Sequence, residues 1–328
     1  MSKKEEKAMN LEKRVTVFDI GHFRNTDGYG IRTIIFFKGC PLRCQWCSNP
    51  FGLSPARQLA VNKERCVGCG RCVQACPNGV NRVEDGKVVV QFERCTLCGK
   101  CLLKCPVSTR MISGKDYSVK ELFDIVYKDA AFYRRSRGGV TLSGGEVLMQ
   151  SEAAASLLVL CKKHYLDTCI ETSAYAPWEE LHEVAQFCDL IFVDIKHIDS
   201  ARHRELTGVP NELILDNIRK LCDFMAEQGR KVILRRPLIP GYNDEDECTI
   251  GIARFVSELA GQPELNILPY HNLGESKYAM IGRKYTVKDL GMLSNHDSAI
   301  IHVRDLSRRY APHNRVSVGG DAIEEPEN

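Results

Sequence analysis

The order of residues predicts an α/β fold with a parallel sheet, interrupted early by a small cysteine-rich insert. Three observations carry that prediction. From residue 139 onward, short apolar runs alternate with amphipathic stretches, and the apolar run 33–37 ahead of the insert adds a sixth strand. Sixteen cysteines are present, eleven of them between Cys40 and Cys105. Within that region one four-cysteine run occurs twice. A chain of 328 residues can bury a sizeable core, as one large α/β domain or two smaller ones.

Taken in order, residues 1–14 are polar, and the charged start has no apolar stretch behind it, so neither a signal peptide nor early structure is expected. Residues 15–20 alternate in the manner of an edge strand. Asp27-Gly28-Tyr29-Gly30-Ile31-Arg32 follows, where glycines bracketing Tyr29 indicate a tight turn. That turn is either an ordinary strand connection or a close approach of backbone to a ligand. After the buried strand 33–37 comes Gly39-Cys40-Pro41-Leu42-Arg43-Cys44-Gln45-Trp46-Cys47. Thiolates prefer soft metals, and so short a loop lets all three converge. Three ligands leave one metal position free, which suits reactivity better than a closed structural site. A zinc knuckle would want a fourth ligand nearby, and no Cys or His lies between Cys47 and Cys66.

Residues 60–111 read as a self-contained insert. Cys66, Cys69, Cys72 and Cys76-Pro77 are echoed by Cys95, Cys98, Cys101 and Cys105-Pro106, each copy matching the bacterial ferredoxin run. In that run the fourth cysteine serves the other cluster. Cys66, Cys69, Cys72 and Cys105 are therefore assigned to one [4Fe-4S] cluster, and Cys95, Cys98, Cys101 and Cys76 to the other. Zinc is disfavoured because the fourth cysteine with its proline occurs twice. Residues 88–90, after Asp85-Gly86, read as a hairpin strand. Cysteines used this way belong to a reducing compartment, so the cytoplasm is expected. The other five are expected to be small buried hydrophobes. The formal charge of +3 omits the clusters' own negative charge and gives no reason to expect nucleic acid. No apolar run approaches the roughly 20 residues needed to span a bilayer, so no membrane is expected.

Past the insert, helical periodicity covers 119–133, 152–164, 179–187, 213–227 and 245–259. Strands are read at 139–142, 168–172, 190–195, 232–235 and 265–268. A doubly wound sheet and a curled, partial barrel both fit, and in either the chemistry collects at the carboxyl ends of the strands. Unusual polar groups stand at those ends. In Ser143-Gly144-Gly145-Glu146, two glycines admit a ligand to the backbone and Glu146 offers an acceptor for an ammonium group. Glu171-Thr172-Ser173 is next, then Asp194-Ile195-Lys196, whose outer members share one face of a strand. That pair is either an acid and a base aimed at a ligand or a structural ion pair. Arg235-Arg236 and Leu268-Pro269-Tyr270-His271 complete the set. Residues 287–293 and 299–309 read as helix or strand without chemistry, and 324–328 as frayed. The basic run Arg134-Arg135-Ser136-Arg137 reads as a solvated face, with docking of an acidic partner as the alternative.

Together these motifs resemble the glycyl radical enzyme activating enzymes of the radical S-adenosylmethionine (SAM) superfamily, in the subgroup with a two-cluster insert. The resemblance runs from about 15 to 278. It rests on Asp27-Gly28-x-Gly30-Ile31-Arg32-Thr33, the three-cysteine loop, Ser143-Gly144-Gly145-Glu146, Asp194-x-Lys196 and Leu268-Pro269-Tyr270-His271-x2-Gly274. It implies an α/β fold of a specific kind, a partial (β/α)6 TIM-type barrel with a ferredoxin-like insert. The division implied is a tail at 1–14, a radical SAM barrel at 15–59 and 112–278, the insert at 60–111, and a C-terminal extension at 279–328.

The resemblance also implies roles. Cys40, Cys44 and Cys47 would bind a third [4Fe-4S] cluster, with Asp27 and Lys196 joining them in catalysis. Trp46 and Ser48 would border SAM, and Gly144, Gly145 and Glu146 would meet its amino end. Glu171 and Thr172 would organise its carboxylate, through a monovalent cation in some members. Asp194, Ile195, Lys196, Arg235 and His271 would contact ribose, carboxylate or adenine. Asp27 and its loop would face the glycine loop of a partner glycyl radical enzyme. SAM would be cleaved to methionine and a 5′-deoxyadenosyl radical, which takes hydrogen from that glycine. A monomer supplied with electrons by flavodoxin or ferredoxin is implied. Two departures stand out: Tyr29 and Phe51 stand where the family usually has proline and often has glutamate. Rival readings are radical SAM chemistry on a small molecule and a non-catalytic iron-sulfur electron carrier; the carrier leaves the first cysteine loop unexplained.

Overall fold

A computed structural model describes residues 9–287 and 290–319. The start of the polar tail (1–8) and the fraying expected at 324–328 lie outside the described residues.

Strands β1 (Arg14–Arg24) and β2 (Arg32–Phe37) form an antiparallel pair with two register shifts. Past the first cysteine loop the chain runs through β3 (Gln58–Val61), α1 (Arg71–Gln74), β4 (Asn81–Glu84), β5 (Lys87–Val90), α2 (Lys100–Leu103) and β6 (Arg110–Ser113). β3 and β6 pair antiparallel and bring the two ends of this segment together. β4 and β5 form the hairpin expected at Asp85-Gly86, where both turn residues have positive φ, as a two-residue turn matching the strand twist requires. Leu59, Val61, Cys72, Val80, Val88 and Cys101 give the segment a small core of its own.

β7 (Lys115–Ser118) returns to the outer side of β1, so β1 is an inner strand and not the edge strand expected. The true edge is four residues long and mostly polar, too weak a pattern to read. α3 (Val119–Tyr127) begins at a full capping box, Ser118 bonding to the Glu121 amide and Glu121 returning to the Ser118 amide. Where one helix over 119–133 was expected, a second, α4 (Ala130–Ser136), starts after a break at Lys128-Asp129. Asp129 turns to the sheet there, bonding Thr33 Oγ1 at 2.8 Å and His22 Nδ1 at 2.6 Å.

The βα alternation follows: β8 (Gly139–Gly144), α5 (Ser151–Lys163), β9 (Asp167–Thr172), α6 (Trp178–Ala185), β10 (Leu190–Asp194), α7 (Ser200–Thr207), α8 (Glu212–Glu227), β11 (Lys231–Leu238), α9 (Asp246–Ser257) and β12 (Glu264–Pro269). After α10 (Glu275–Met280), residues 290–297 hold no helix or strand, and 288–289 lie outside the described residues. The stretch 299–309 falls in the helix α11 (Ser298–Tyr310), which packs on α9, and β13 (Val316–Val318) pairs parallel with β12.

All but β3 to β6 join one nine-stranded sheet in the order β13-β12-β11-β10-β9-β8-β2-β1-β7, with β2 and β8 to β12 parallel neighbours in turn. Consecutive parallel strands joined by helices make a partial (β/α)6 barrel, left open because β7 and β13 do not pair. Alternation splits each strand between two environments. Ile35, Phe37, Val140, Leu142, Ile170, Ile191, Val193, Leu234, Leu265 and Ile267 face the helices and form the main core. The intervening positions, among them Phe36, Ser143, Glu171, Asp194, Arg235 and Leu268, line a single cleft inside the curve. Among the described residues no helix is long and apolar enough to cross a membrane.

Candidate active site

The cleft, about 350 Å3 and open to solvent, stands at the carboxyl ends of the six parallel strands. Cys40, Cys44 and Cys47 reach it from the loop after β2. Backbone bonds hold that loop from three sides. Arg43 and Gln45 amides donate to the Thr207 and Leu206 carbonyls at the end of α7, at 2.6 and 3.0 Å. The Gly39 amide donates to Gly52 O at 2.8 Å. The Glu146 amide donates to Gly39 O at 2.7 Å. Buried Lys38 donates to Phe51 O at 2.6 Å and Ser54 O at 3.0 Å, and burial with the Arg283 charge lowers its pKa to about 8.

Burial, Glu146 and the neighbouring thiols push the Cys40 thiol well up; burial takes Cys44 to about 12 despite Lys196, and raises Cys47. A soft cation bound among three such thiols would displace their protons to solvent, overcoming the burial that otherwise keeps the thiols neutral. The donor set therefore fits an iron-sulfur group. Trp46 lies buried behind them, edge-on to Tyr242, and Ser48 and Asn49 continue the wall.

Gly144 and Gly145 line the cleft opposite. Each packs so tightly on the cysteine loop's base that a Cβ would collide with backbone: 2.3 Å from Phe37 N at Gly144, which also has φ +120°, and 2.2 Å from Gly39 O at Gly145. Glu146 does not reach the cleft. Its carboxylate is buried and accepts from Leu148 N, Thr172 Oγ1, Ser173 N and Ser173 Oγ, at 3.1, 2.7, 2.8 and 2.5 Å. A carboxylate with four donors is not the free ammonium acceptor expected of it; it ties β8 to the end of β9. Ile195 likewise turns into the helix-facing core, leaving only its flanking residues on the cleft.

Glu171 and Thr172 stand on the cleft wall. Glu171 accepts from Ser143 Oγ at 2.5 Å and is ion-paired with Arg235. Burial raises its pKa, and the Asp27 charge adds to this against the pull of Arg235. Arg235 also lies 3.7 Å from Asp27 Oδ1, donates to Thr26 O at 3.2 Å and stacks on Phe192 at 3.6 Å. Asp27 O accepts from Thr141 Oγ1 at 2.8 Å, so the loop carrying Asp27 is drawn inside the barrel. Tyr29 packs deeper, on Cys169, Leu190, Phe192 and Ile233, with its hydroxyl 3.4 Å from Lys231 Nζ. Lys196 is buried and holds Asp194 at 2.6 Å, a true ion pair on the cleft wall beside Cys44. His271 is exposed at the rim, whereas Arg236 faces away, fully buried against Asn243 and Thr249.

Sequence reasoning missed Tyr278, a buried side chain of α10 in the apolar cluster that packs against Cys47. It missed Ser143 as a partner of Glu171, which the two-residue alternation with Glu171's register neighbours could have shown. Tyr278 carried no local signal.

In the insert, one cavity is lined by Cys66, Cys69, Cys72 and Cys105, and another by Cys76, Cys95, Cys98 and Cys101. Among the described residues no three His, Cys, Asp or Glu side chains converge closely enough for a single ion. Quartets around cavities fit a cluster better than a lone metal. The remaining cysteines, Cys161, Cys169, Cys188, Cys222 and Cys248, are all buried.

Residues 92–250 match the radical SAM superfamily, and residues 58–106 match the 4Fe-4S dicluster domain. The choline trimethylamine-lyase activating enzyme of Oleidesulfovibrio alaskensis is 41% identical over 88% of this chain and 93% of its own. The (2S)-3-sulfopropanediol sulfolyase activating enzyme of Bilophila wadsworthia is 41% identical over 83% and 90%. Among solved structures, Streptococcus suis SuiB bound to precursor peptide SuiA superposes with a TM-score of 0.50 at 14% identity, over 89% of this chain and 49% of that one, a likeness of fold.

Proposed function

The chain belongs to the radical SAM activating enzymes of glycyl radical enzymes, and from that premise we propose how its residues divide the work. The enzyme uses iron-sulfur clusters and SAM, and its protein substrate is a glycyl radical enzyme. We assign three [4Fe-4S] clusters: one to Cys40, Cys44 and Cys47, and one to each insert quartet. The barrel at 15–59 and 112–278, the insert at 60–111 and the flanking 1–14 and 279–328 are the working division. One observation carries this reading: the three loop cysteines share a single cleft with Gly144, Gly145, Glu171, Asp194, Lys196 and Arg235.

Cys40, Cys44 and Cys47 would hold the loop cluster, which would supply the one electron for reductive cleavage of SAM to methionine and a 5′-deoxyadenosyl radical able to take hydrogen from the partner's glycine. The chain itself supplies position and dryness. The backbone of Gly144-Gly145, left bare by missing side chains, takes the amino end of SAM, and Glu146 fixes that backbone from behind. Arg235 and Lys196 offer the positive charges for its carboxylate, each steadied by an acid, Glu171 and Asp194. A monovalent cation would have to share Glu171 with Arg235. Trp46, Ser48 and His271 border the remaining part of SAM, and Tyr278 belongs to the apolar cluster behind Cys47. Asp27 closes the cleft from the side that meets the partner. Reduced flavodoxin or ferredoxin supplies electrons through the insert to a monomeric, cytoplasmic enzyme.

The test is electron paramagnetic resonance (EPR) of glycyl radical enzymes of the choline-lyase and sulfolyase kinds after anaerobic incubation with the reduced protein and SAM. A glycine-centred doublet in one of them is expected. Its absence from every one, alongside sustained SAM cleavage driven by an added metabolite, would contradict the protein-substrate reading.

A further inference from the structure

The two halves of the insert are related residue by residue. The amide four residues past Cys76 (Val80) and the one four past Cys105 (Thr109) each donate to their cysteine's Sγ at 3.4 Å. One residue further on, the copies differ: Asn81 in the first, Arg110 in the second. These two side chains meet, Arg110 Nη1 donating to Asn81 Oδ1 at 2.7 Å. Arg110 Nη2 donates to Cys72 Sγ at 3.1 Å, and Asn81 Nδ2 donates to Cys72 O at 3.1 Å. Asn81 lines the cavity of the other quartet. The short helices α1 and α2 pack together there, so that Cys72 and Cys101, the buried member of each quartet, flank the junction.

Arg110 is only 7% exposed, and among the described residues no carboxylate lies within ion-pair distance of it. A buried guanidinium without a counter-charge is strongly destabilising. The negative charge that offsets it must therefore come from the cavities on either side.

We propose that Arg110 is a positioning residue shared by the two insert clusters, which are its counter-ions and whose reduction potentials it raises. The inference rests on the reading of the insert as a two-cluster site. Reduction adds negative charge to a cluster, and a fixed positive charge with an N–H···S bond favours the more negative state. Because Arg110 bonds Cys72 directly, the centre held by Cys66, Cys69, Cys72 and Cys105 feels it more. The asymmetry between Asn81 and Arg110 thus gives two otherwise matched centres different potentials.

The test is an anaerobic redox titration of the reconstituted full-length protein followed by EPR, with iron content measured, for wild type, Arg110→Gln and Arg110→Lys. Signals that do not respond to added SAM belong to the insert. In Arg110→Gln both insert centres should shift to more negative potential, one further than the other, while Arg110→Lys stays nearer wild type. Loss of insert iron from Arg110→Gln alone, with Arg110→Lys still loaded, also supports the need for the charge. Unshifted potentials in loaded Arg110→Gln, equal shifts in both variants, or loss of iron from both would overturn the proposal. Wild-type protein that holds no clusters in the insert would instead sink the two-cluster reading beneath it.

Discussion

Gly145 shows how much of the site depends on missing atoms. A Cβ there would lie 2.2 Å from Gly39 O and 2.4 Å from Gly52 O, both backbone, so no side chain can move aside. Gly145→Ala should cost about 1–3 kcal/mol in thermal or denaturant unfolding and loosen the cysteine loop, seen as lower iron retention there. Glu171 makes a second prediction. The unfolded chain releases this proton in the ordinary carboxylate range, whereas the folded chain holds it to higher pH, because burial and Asp27 outweigh Arg235. Between those pH values the folded state carries the extra proton, so its stability falls as pH rises through the window. Urea unfolding of the metal-free protein at several pH values should show Glu171→Gln lacking that part of the decline; identical pH profiles would count against it. The grouping of the cysteines around the cleft and the two insert cavities was legible in the sequence because such spacing is written locally. The real partners of Glu146 were not, since Thr172 and Ser173 come from the next strand, and Tyr278 reaches Cys47 from α10.

At the scale of elements, strands buried on both faces were easy to read and their neighbours were not. Each of the six barrel strands was found to within a few residues, because helices cover one face and the inner face is largely apolar below the cleft. The helix α7, Ser-Ala-Arg-His-Arg-Glu-Leu-Thr, was missed: it is short and polar, with only His203, Leu206 and Thr207 buried, yet its end holds the cysteine loop. The insert's hairpin and doubled cysteine run were legible from spacing alone. What spacing does not show is how the insert meets the barrel. The structure puts Phe92, just before Cys95, against Gly282, close after Tyr278, whose apolar cluster packs against Cys47. That contact joins the two cofactor regions and motivates a relay through the insert. Cys98→Ala with Cys101→Ala should abolish activation with a flavodoxin-type donor and leave activation by a strong chemical reductant within a few-fold of wild type. Full activity with the flavodoxin-type donor would reduce the insert to a docking surface.

For the whole molecule, periodicity allowed a doubly wound sheet or a curled one, because strand order is not written in any single strand. The distinction came from the family resemblance and is visible in the sheet, where β2 and β8 to β12 follow one another without a switch in order. That order wraps the inward residues of six strands around one cleft, with the cysteine loop on one side and the Asp27 loop on another. If this cleft acts as proposed, its three loop cysteines are what allow SAM to be cleaved there. The direct measurement is 5′-deoxyadenosine formed from SAM by the reduced, reconstituted protein, beside a Cys40→Ala, Cys44→Ala, Cys47→Ala variant that keeps its insert cysteines. Product is expected from the wild type and none above background from the variant. Equal product from both, or none from a fully loaded wild type, would contradict the proposal.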